Sequence, residues 1–161
     1  MALGCNLPGP YGSCRELLDA AIDALPDFGL VVVERSSWWR SAAWPKATDP
    51  DYLNGVALVE TRLSAPAVMA ALRRIEATFG RRRGELNAPR TLDLDLIAHG
   101  RTVINQPSLT LPHPRAAQRL FVMGPLAQIA PQWKHPLTGQ TARVLAGRAR
   151  VGLDAAPLTD R

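Results

Sequence analysis

The chain has 161 residues, 47% of them apolar, with 19 Lys and Arg against 14 Asp and Glu and a net charge of +5. That length suits one compact domain with its own core, and the composition excludes a disordered or low-complexity chain. A pI near 10 points to an anionic partner such as nucleotide, phosphate, nucleic acid or membrane surface.

Reading from the start, "LGC" at 3–5 resembles the end of a lipoprotein signal but has no apolar stretch before it, and no run reaches transmembrane length. Cys5 and Cys14 lack C-x-x-C spacing and are too few for a disulfide scaffold, so reduced thiols in a cytoplasmic protein are expected. Ser13-x-x-Glu16 is a capping box, and Leu17, Leu18, Ala21, Ile22 and Leu25 follow at helical spacing. The pattern predicts a helix from about 13 to 26, stopped near Pro26. Residues 29–39 are rich in β-branched and aromatic types and predict a strand. "RSAAWPKATDP" is aperiodic and proline-containing, a loop, and "DYLNGVALVETRL" alternates as a second, antiparallel strand. Ser64 caps a further helix with Val68, Leu72, Ile75 and Phe79 as its apolar stripe.

An arginine-rich loop, "GRRRGELNAPR", precedes the strand "LDLDLI". His99-Gly100 turns into a short strand, "RTVI", and residues 105–115 predict a loop. "RLFVMGPLAQIAP" reads as a helix with Pro125 near its first turn or at a kink. A turn at "HPLTGQ" and a helix through Leu145 follow. The whole reads as one domain over 1–150 with a loose tail over 151–161. With a short strand at the start, the order is β-α-β-β-α-β plus C-terminal additions. That predicts an α+β, ferredoxin-like antiparallel sheet with helices on one face.

The chemistry centres on Asp93 and Asp95. Residues i and i+2 of a strand share a face, so the two carboxylates stand side by side, with Cα atoms roughly 6–7 Å apart. Like charges that close call for a positive partner. A D-x-D strand is a solvated face, a nucleotide–metal site or a general acid and base pair. Arg81, Arg82, Arg83 and Arg90 lie within ten residues of one another just upstream. Mg²⁺ takes a few carboxylates plus phosphate oxygens and waters, and arginine forks suit the remaining phosphate oxygens. The combination favours Mg²⁺–polyphosphate chemistry. With neither G-x-x-x-x-G-K-[ST] nor an H-R-D set, the chain is neither a P-loop enzyme nor a protein kinase.

"GRRRGELNAPRTLDLDLIAHG" resembles the signature of the 6-hydroxymethyl-7,8-dihydropterin pyrophosphokinase family of folate synthesis. "ALGCNL" is similar to that family's opening A-x-G-S-N-L, "SSWWRSAAW" to its aromatic-arginine-threonine-proline loop, and "PDYLN" to its next strand. "LTLPHPRAAQRLFVMGPLAQIAP" is similar to its L-x-x-P-H…R-x-F…P-L…I-x-P block. The blocks run in order from about residue 2 to residue 133.

The resemblance implies a ferredoxin-like, monomeric, cytoplasmic enzyme with no nucleic-acid or membrane partner. Such an enzyme uses two Mg²⁺ ions to move the terminal pyrophosphoryl group of ATP onto the pterin's hydroxymethyl oxygen, releasing AMP. It implies that Asp93 and Asp95 hold both ions, and that Arg81, Arg83 and Arg90 neutralise charge developing on the transferred group. His113 and Arg119 would contact the nucleotide phosphates, with Glu76, Leu109 and Thr110 flanking the nucleotide. Tyr52 and Phe121 would sandwich the pterin, and Asn54 would bond its ring edge together with backbone groups of Ser41, Ala42 and Trp44. Taken alone, Tyr52 and Phe121 read as core aromatics, His113 as a loop histidine and Glu76 as a helix-surface charge. The chain departs from the family pattern at Cys5 in place of serine, at Ala42 and Ala43 in place of a proline pair, and at Gly84 and Leu86 where basic residues are frequent. Its opening strand is also short.

A basic ferredoxin-like RNA-binding module is the competing reading, but no strand carries the aromatic RNP1 pattern it needs. A D-x-D nucleotide-sugar transferase would need a larger nucleotide-binding domain.

Overall fold

The computed structural model describes residues 1–43, 46, 48–80 and 91–159. Strand β1 (Ala2–Cys5) leads into helix α1 (Cys14–Ala24). Ser13 Oγ accepts from the Glu16 N–H at 3.2 Å, and the Glu16 carboxylate reaches back to accept from the Gly12 N–H at 3.0 Å. The reciprocal cap forms, its return bond one residue earlier than the usual box. The helix ends at Ala24, and Pro26 sits inside a following 3-10 turn, Leu25–Phe28.

The run 29–39, expected as one strand, is two: β2 (Val31–Arg35) and β3 (Trp39–Ser41), both antiparallel to β4 (Tyr52–Glu60). Ser36 makes the break. Its N–H donates to Val56 O at 2.9 Å while its side-chain oxygen accepts from the Val56 N–H at 3.0 Å. A side chain thus takes a ladder bond that a backbone carbonyl would otherwise take. Helix α2 (Ala65–Thr78) is capped by Ser64 and buries Val68, Leu72 and Ile75 as their spacing predicts. Strand β5 (Asp93–Asp95) carries the aspartates.

The stretch 105–115 differs from the expected loop. It takes part in a hairpin of β6 (Ile104–Gln106) and β7 (Leu109–Leu111), turning at Pro107 and Ser108. Strands of three residues are too short to show a period. Helices α3 (Leu120–Ile129) and α4 (Ala142–Gly147) follow, with Pro125 inside α3. The tail is not loose: β8 (Ala156–Pro157) pairs with β3.

The main sheet runs β5-β1-β4-β3-β8, with β2 also on β4 and every pairing antiparallel. Leu3, Cys5, Leu53, Ala57 and Leu94 face one core with α1 and α2. Ala2 and Val56 face a second core, where α3 and α4 supply Val122, Met123, Leu126 and Leu145. Each sheet residue set alternates along its strand, as a period of two requires. No helix among the described residues is long and apolar enough to cross a membrane.

The expectation of reduced thiols is overturned, because Cys5 and Cys14 form a disulfide. They lie nine positions apart, at the last residue of β1 and the first of α1, and the connecting loop returns their Cα atoms to 5.7 Å, within bridging range.

β1 starts abruptly. The Met1 ammonium is buried and donates to Ala57 O at 2.9 Å, while the Ala57 N–H donates back to Met1 O at 2.9 Å. Alternation of the antiparallel ladder then turns the Val59 N–H and C=O toward the groove beyond Met1, which Leu58, Val59, Leu96 and Trp133 line. Burial lowers the Met1 amine from its ordinary 8.0 to about 6, with Asp95 pulling the other way. The unfolded chain therefore binds more protons between pH 6 and 8. Stability should rise with pH through that window, and be lost as pH falls toward 6, by roughly 2–3 kcal/mol. A chain extended by three or four strand-forming residues before Met1 should be more stable at pH 6 and lose this part of the pH dependence. His113 and His135, both also lowered by burial, are present in both chains, so the difference between the chains reports the part that depends on the free Met1 amine. Denaturation midpoints at pH 5.5 and 8.5 check it; identical midpoints at both pH values would refute the expectation.

Candidate active site

The site lies on the sheet face shared by Ala2 and Val56, one residue pair beyond the part that α3 covers. Gly4 of β1 sits opposite Asn54 of β4 on one side and opposite Asp93 of β5 on the other. Ala2 likewise sits between Val56 and Asp95. Neighbouring strands are about 4.8 Å apart, so Asn54 and Asp93 stand about 10 Å apart with only a glycine between them. A Cβ at Gly4 would lie 3.6 Å from Asn54 Oδ1 and 4.0 Å from Asp93 Cβ. Glycine leaves that floor open.

On the β4 side, Asn54 is 6% exposed and its side-chain amide donates to Ser41 Oγ at 3.0 Å and to Trp39 O at 3.5 Å. Its two donors are thus directed into the protein, and its Oδ1 faces the open floor over Gly4. Ser41 is paired with Tyr52, and both project on the same face as Asn54. The structure therefore brings together three of the residues expected around a pterin. Ala42 follows Ser41, and its N–H donates to the Asp154 carboxylate. Phe121, at the start of α3, is half-buried, with the Arg119 guanidinium carbon 5.7 Å from its ring centroid.

On the β5 side, Leu94 is in the core, and Asp93 and Asp95 are half-buried on the opposite face. β5 pairs with β1 along one edge. On its other edge, Glu76 of α2, 8% exposed, accepts the Leu94 N–H at 2.8 Å. Glu76 is therefore a buried acceptor that fixes the aspartate strand, not a helix-surface charge. Sequence spacing could not reveal that bond, which joins residues 18 apart.

His113 approaches Asp95, Nε2 to Oδ2 at 4.0 Å. Its Nδ1 accepts from the Arg115 N–H at 3.2 Å, and its own N–H donates to Ile97 O at 2.8 Å. The ring is thereby turned with Nε2 toward the carboxylate. Burial pushes the imidazole below its ordinary value, the Asp95 carboxylate pulls it up, and Arg119 and Arg115 push it down. Held close to neutrality in this way, it would donate one Nε2–H to an anionic oxygen. Leu109 is buried in the core of α1 and α2, and the Thr110 hydroxyl donates to Gln106 O at 3.4 Å. Arg81, Arg83, Arg90, Gly84, Leu86 and Trp44 lie outside the described residues.

The residues that sequence reasoning missed are Gly4 as the open floor, Glu76 as a strand anchor, and Gly152 and Asp154 of the C-terminal segment. Only Gly4 left a signal, since it stands in the quoted opening motif.

The family model for 7,8-dihydro-6-hydroxymethylpterin-pyrophosphokinase matches residues 1–131. The chain is 45% identical over 137 residues to the 2-amino-4-hydroxy-6-hydroxymethyldihydropteridine pyrophosphokinase of Synechocystis sp., covering 84% of this chain and 70% of that protein. With the enzyme of the same name from Pseudomonas aeruginosa it shares 37% identity over 160 residues, covering 98% and 95% of the two. A crystal structure of the Plasmodium falciparum HPPK-DHPS protein aligns with a TM-score of 0.68 at 12% identity, over 91% of this chain and 42% of that one. That likeness concerns the fold alone: mixed helix and antiparallel sheet. With the model matching four-fifths of its length and relatives alike over nearly all of it, the chain belongs to the 7,8-dihydro-6-hydroxymethylpterin-pyrophosphokinase family.

Proposed function

We propose that this chain transfers the terminal pyrophosphoryl group of ATP to 6-hydroxymethyl-7,8-dihydropterin in folate biosynthesis. The pterin's hydroxymethyl oxygen attacks the β-phosphorus, the bond from that phosphorus to the α-phosphate oxygen breaks, the hydroxyl proton is lost, and AMP leaves. The observation that carries this reading is the Asn54–Gly4–Asp93 row. It sets a buried amide for a ring edge about two strand spacings from a carboxylate pair, with an open floor between. A flat bicyclic ring with a one-carbon arm fits that span.

Family membership supports ATP as co-substrate. For the metal, the donor set is the test. Asp93 and Asp95 share a strand face, and among the described residues no group of three or more His, Cys, Asp or Glu could hold an ion alone. Two carboxylates that need phosphate oxygens to complete a shell suit Mg²⁺ arriving with ATP, here two ions. When bound, the ions would offset charge on the polyphosphate.

The remaining roles are assigned to this chain's own groups. Arg81, Arg83 and Arg90 neutralise the transferred group, while His113 and Arg119 contact nucleotide phosphates. Leu109 and Thr110 flank the nucleotide together with α2 at Glu76. Tyr52 and Phe121 hold the ring by stacking, and Asn54 with the backbone of Ser41 to Trp44 orients it. The scaffold is a ferredoxin-like domain with C-terminal additions, a reading supported by the β5-β1-β4-β3 strand order, and it acts as a monomer. Incubation with ATP, Mg²⁺ and the reduced pterin should yield AMP and pterin diphosphate one for one. ADP as the nucleotide product, or no pterin-dependent turnover, would overturn the reading.

A further inference from the structure

The C-terminal segment lies beyond the residues the family model matches, yet it is built into the site. Arg150 and Val151 donate their N–H groups to Gln118 O at 2.9 and 3.0 Å, and Val151 O accepts from the Leu120 N–H at 2.9 Å. The chain turns at Gly152 to Ala155, where the Ala155 N–H donates to Gly152 O at 3.0 Å. It then runs as β8 beside β3, Ala156 against Arg40 and Pro157 against Trp39, and the Leu158 N–H donates to Trp38 O at 2.8 Å. The segment thus spans from the entry of α3 to the strand that carries Ser41.

Two of its residues touch the two walls assigned to the pterin. Gly152 has φ of +67°, and a Cβ there would overlap the Phe121 ring. Only glycine gives both that backbone and that close an approach. Asp154 accepts the N–H of Ala42, in the loop where Ala42 and Ala43 stand in place of a proline pair. Alanine leaves that loop with more freedom than proline would, and a hydrogen bond from outside can restore part of the constraint. One short segment therefore sets both Phe121 and the 41–43 loop.

We propose that residues 150–158 act as a latch that fixes the spacing and orientation of the pterin-binding walls, with Gly152 and Asp154 as positioning residues. The proposal rests on the pterin reading of this site. The latch uses the Ala42 N–H, so the ring's polar edge must be met by other groups of the loop and by Asn54. The segment adds little core, since of residues 151–159 only Ala155 is buried, so its contacts with β3 and Phe121 are what it contributes.

The test uses the full chain with Asp154→Ala, Asp154→Asn and Gly152→Ala. Calorimetry gives the Kd for the reduced pterin and, separately, for ATP, and hydrogen exchange follows the Ala42 amide. Asp154→Ala should weaken pterin binding about 5- to 20-fold, the scale of one hydrogen bond to a charged acceptor, with ATP affinity within about twofold. Asp154→Asn keeps an acceptor oxygen and should recover most of the loss. Gly152→Ala should move in the same direction, by displacing the Phe121 ring. Ala42 exchange should quicken in Asp154→Ala and be slow in the other two. Unchanged pterin affinity in Asp154→Ala, or equal losses for ATP and pterin, would overturn the latch while leaving the pterin reading intact. Failure of the unmodified chain to bind pterin would instead remove the pterin reading, and the latch with it.

Discussion

Asp93→Ala and Asp95→Ala should each lower turnover by at least roughly 100-fold, the scale for losing one strong electrostatic contact in a transition state. Both side chains project from β5 on the face away from the core, while Leu94 between them anchors the strand. Glu76 holds the outer edge of that strand and β1 the inner edge. The strand should therefore stay in place when a carboxylate is removed, and the thermal midpoint should move little. Added Mg²⁺ should rescue only in part, because the geometry of the site rather than its occupancy is impaired. The measurements are AMP formation and the thermal midpoint of each variant. Near-normal turnover in both would return the aspartates to a solvated strand face.

Much of this was legible in the sequence because the signals are local. The caps at Ser13 and Ser64 need only four residues each, the α2 stripe only the helical period, and the D-x-D face only the pleat of a strand. The Asn54, Tyr52 and Ser41 grouping was reached through the family resemblance, and the sheet register brings the three together. What escaped depends on long-range closure. Ser36 breaks a strand because Val56 meets its side chain, and nothing in "ERSSWW" announces that partner. Cys5 and Cys14 pair because β1 and α1 converge. The β6–β7 hairpin has strands too short for periodicity. The tail reads as loose from its end position alone, but β3 offers it an open edge. A two-residue strand has no pattern of its own; its partner defines it.

Phe121→Ala should weaken pterin binding by roughly 1–3 kcal/mol, about 5- to 150-fold in Kd, while ATP affinity stays within about twofold. The reasoning rests on what the ring touches. One side lies so close to Gly152 that no Cβ fits between them, and the Arg119 guanidinium is 5.7 Å from the ring centroid. The ring is thus backed by chain on one side, and half-buried rather than sealed in the core. Truncation removes a stacking surface and no phosphate contact. It also frees the Arg119 side chain from the ring, so the ATP measurement is the sensitive control. Phe121→Tyr retains the aromatic face and should recover most of the pterin affinity, whereas Phe121→Leu restores apolar volume without a stacking plane and should not. If leucine rescues as well as tyrosine, the position serves packing alone. If ATP binding falls with pterin binding, Phe121 acts by holding Arg119, and the wall assigned to the pterin must be sought elsewhere on this face.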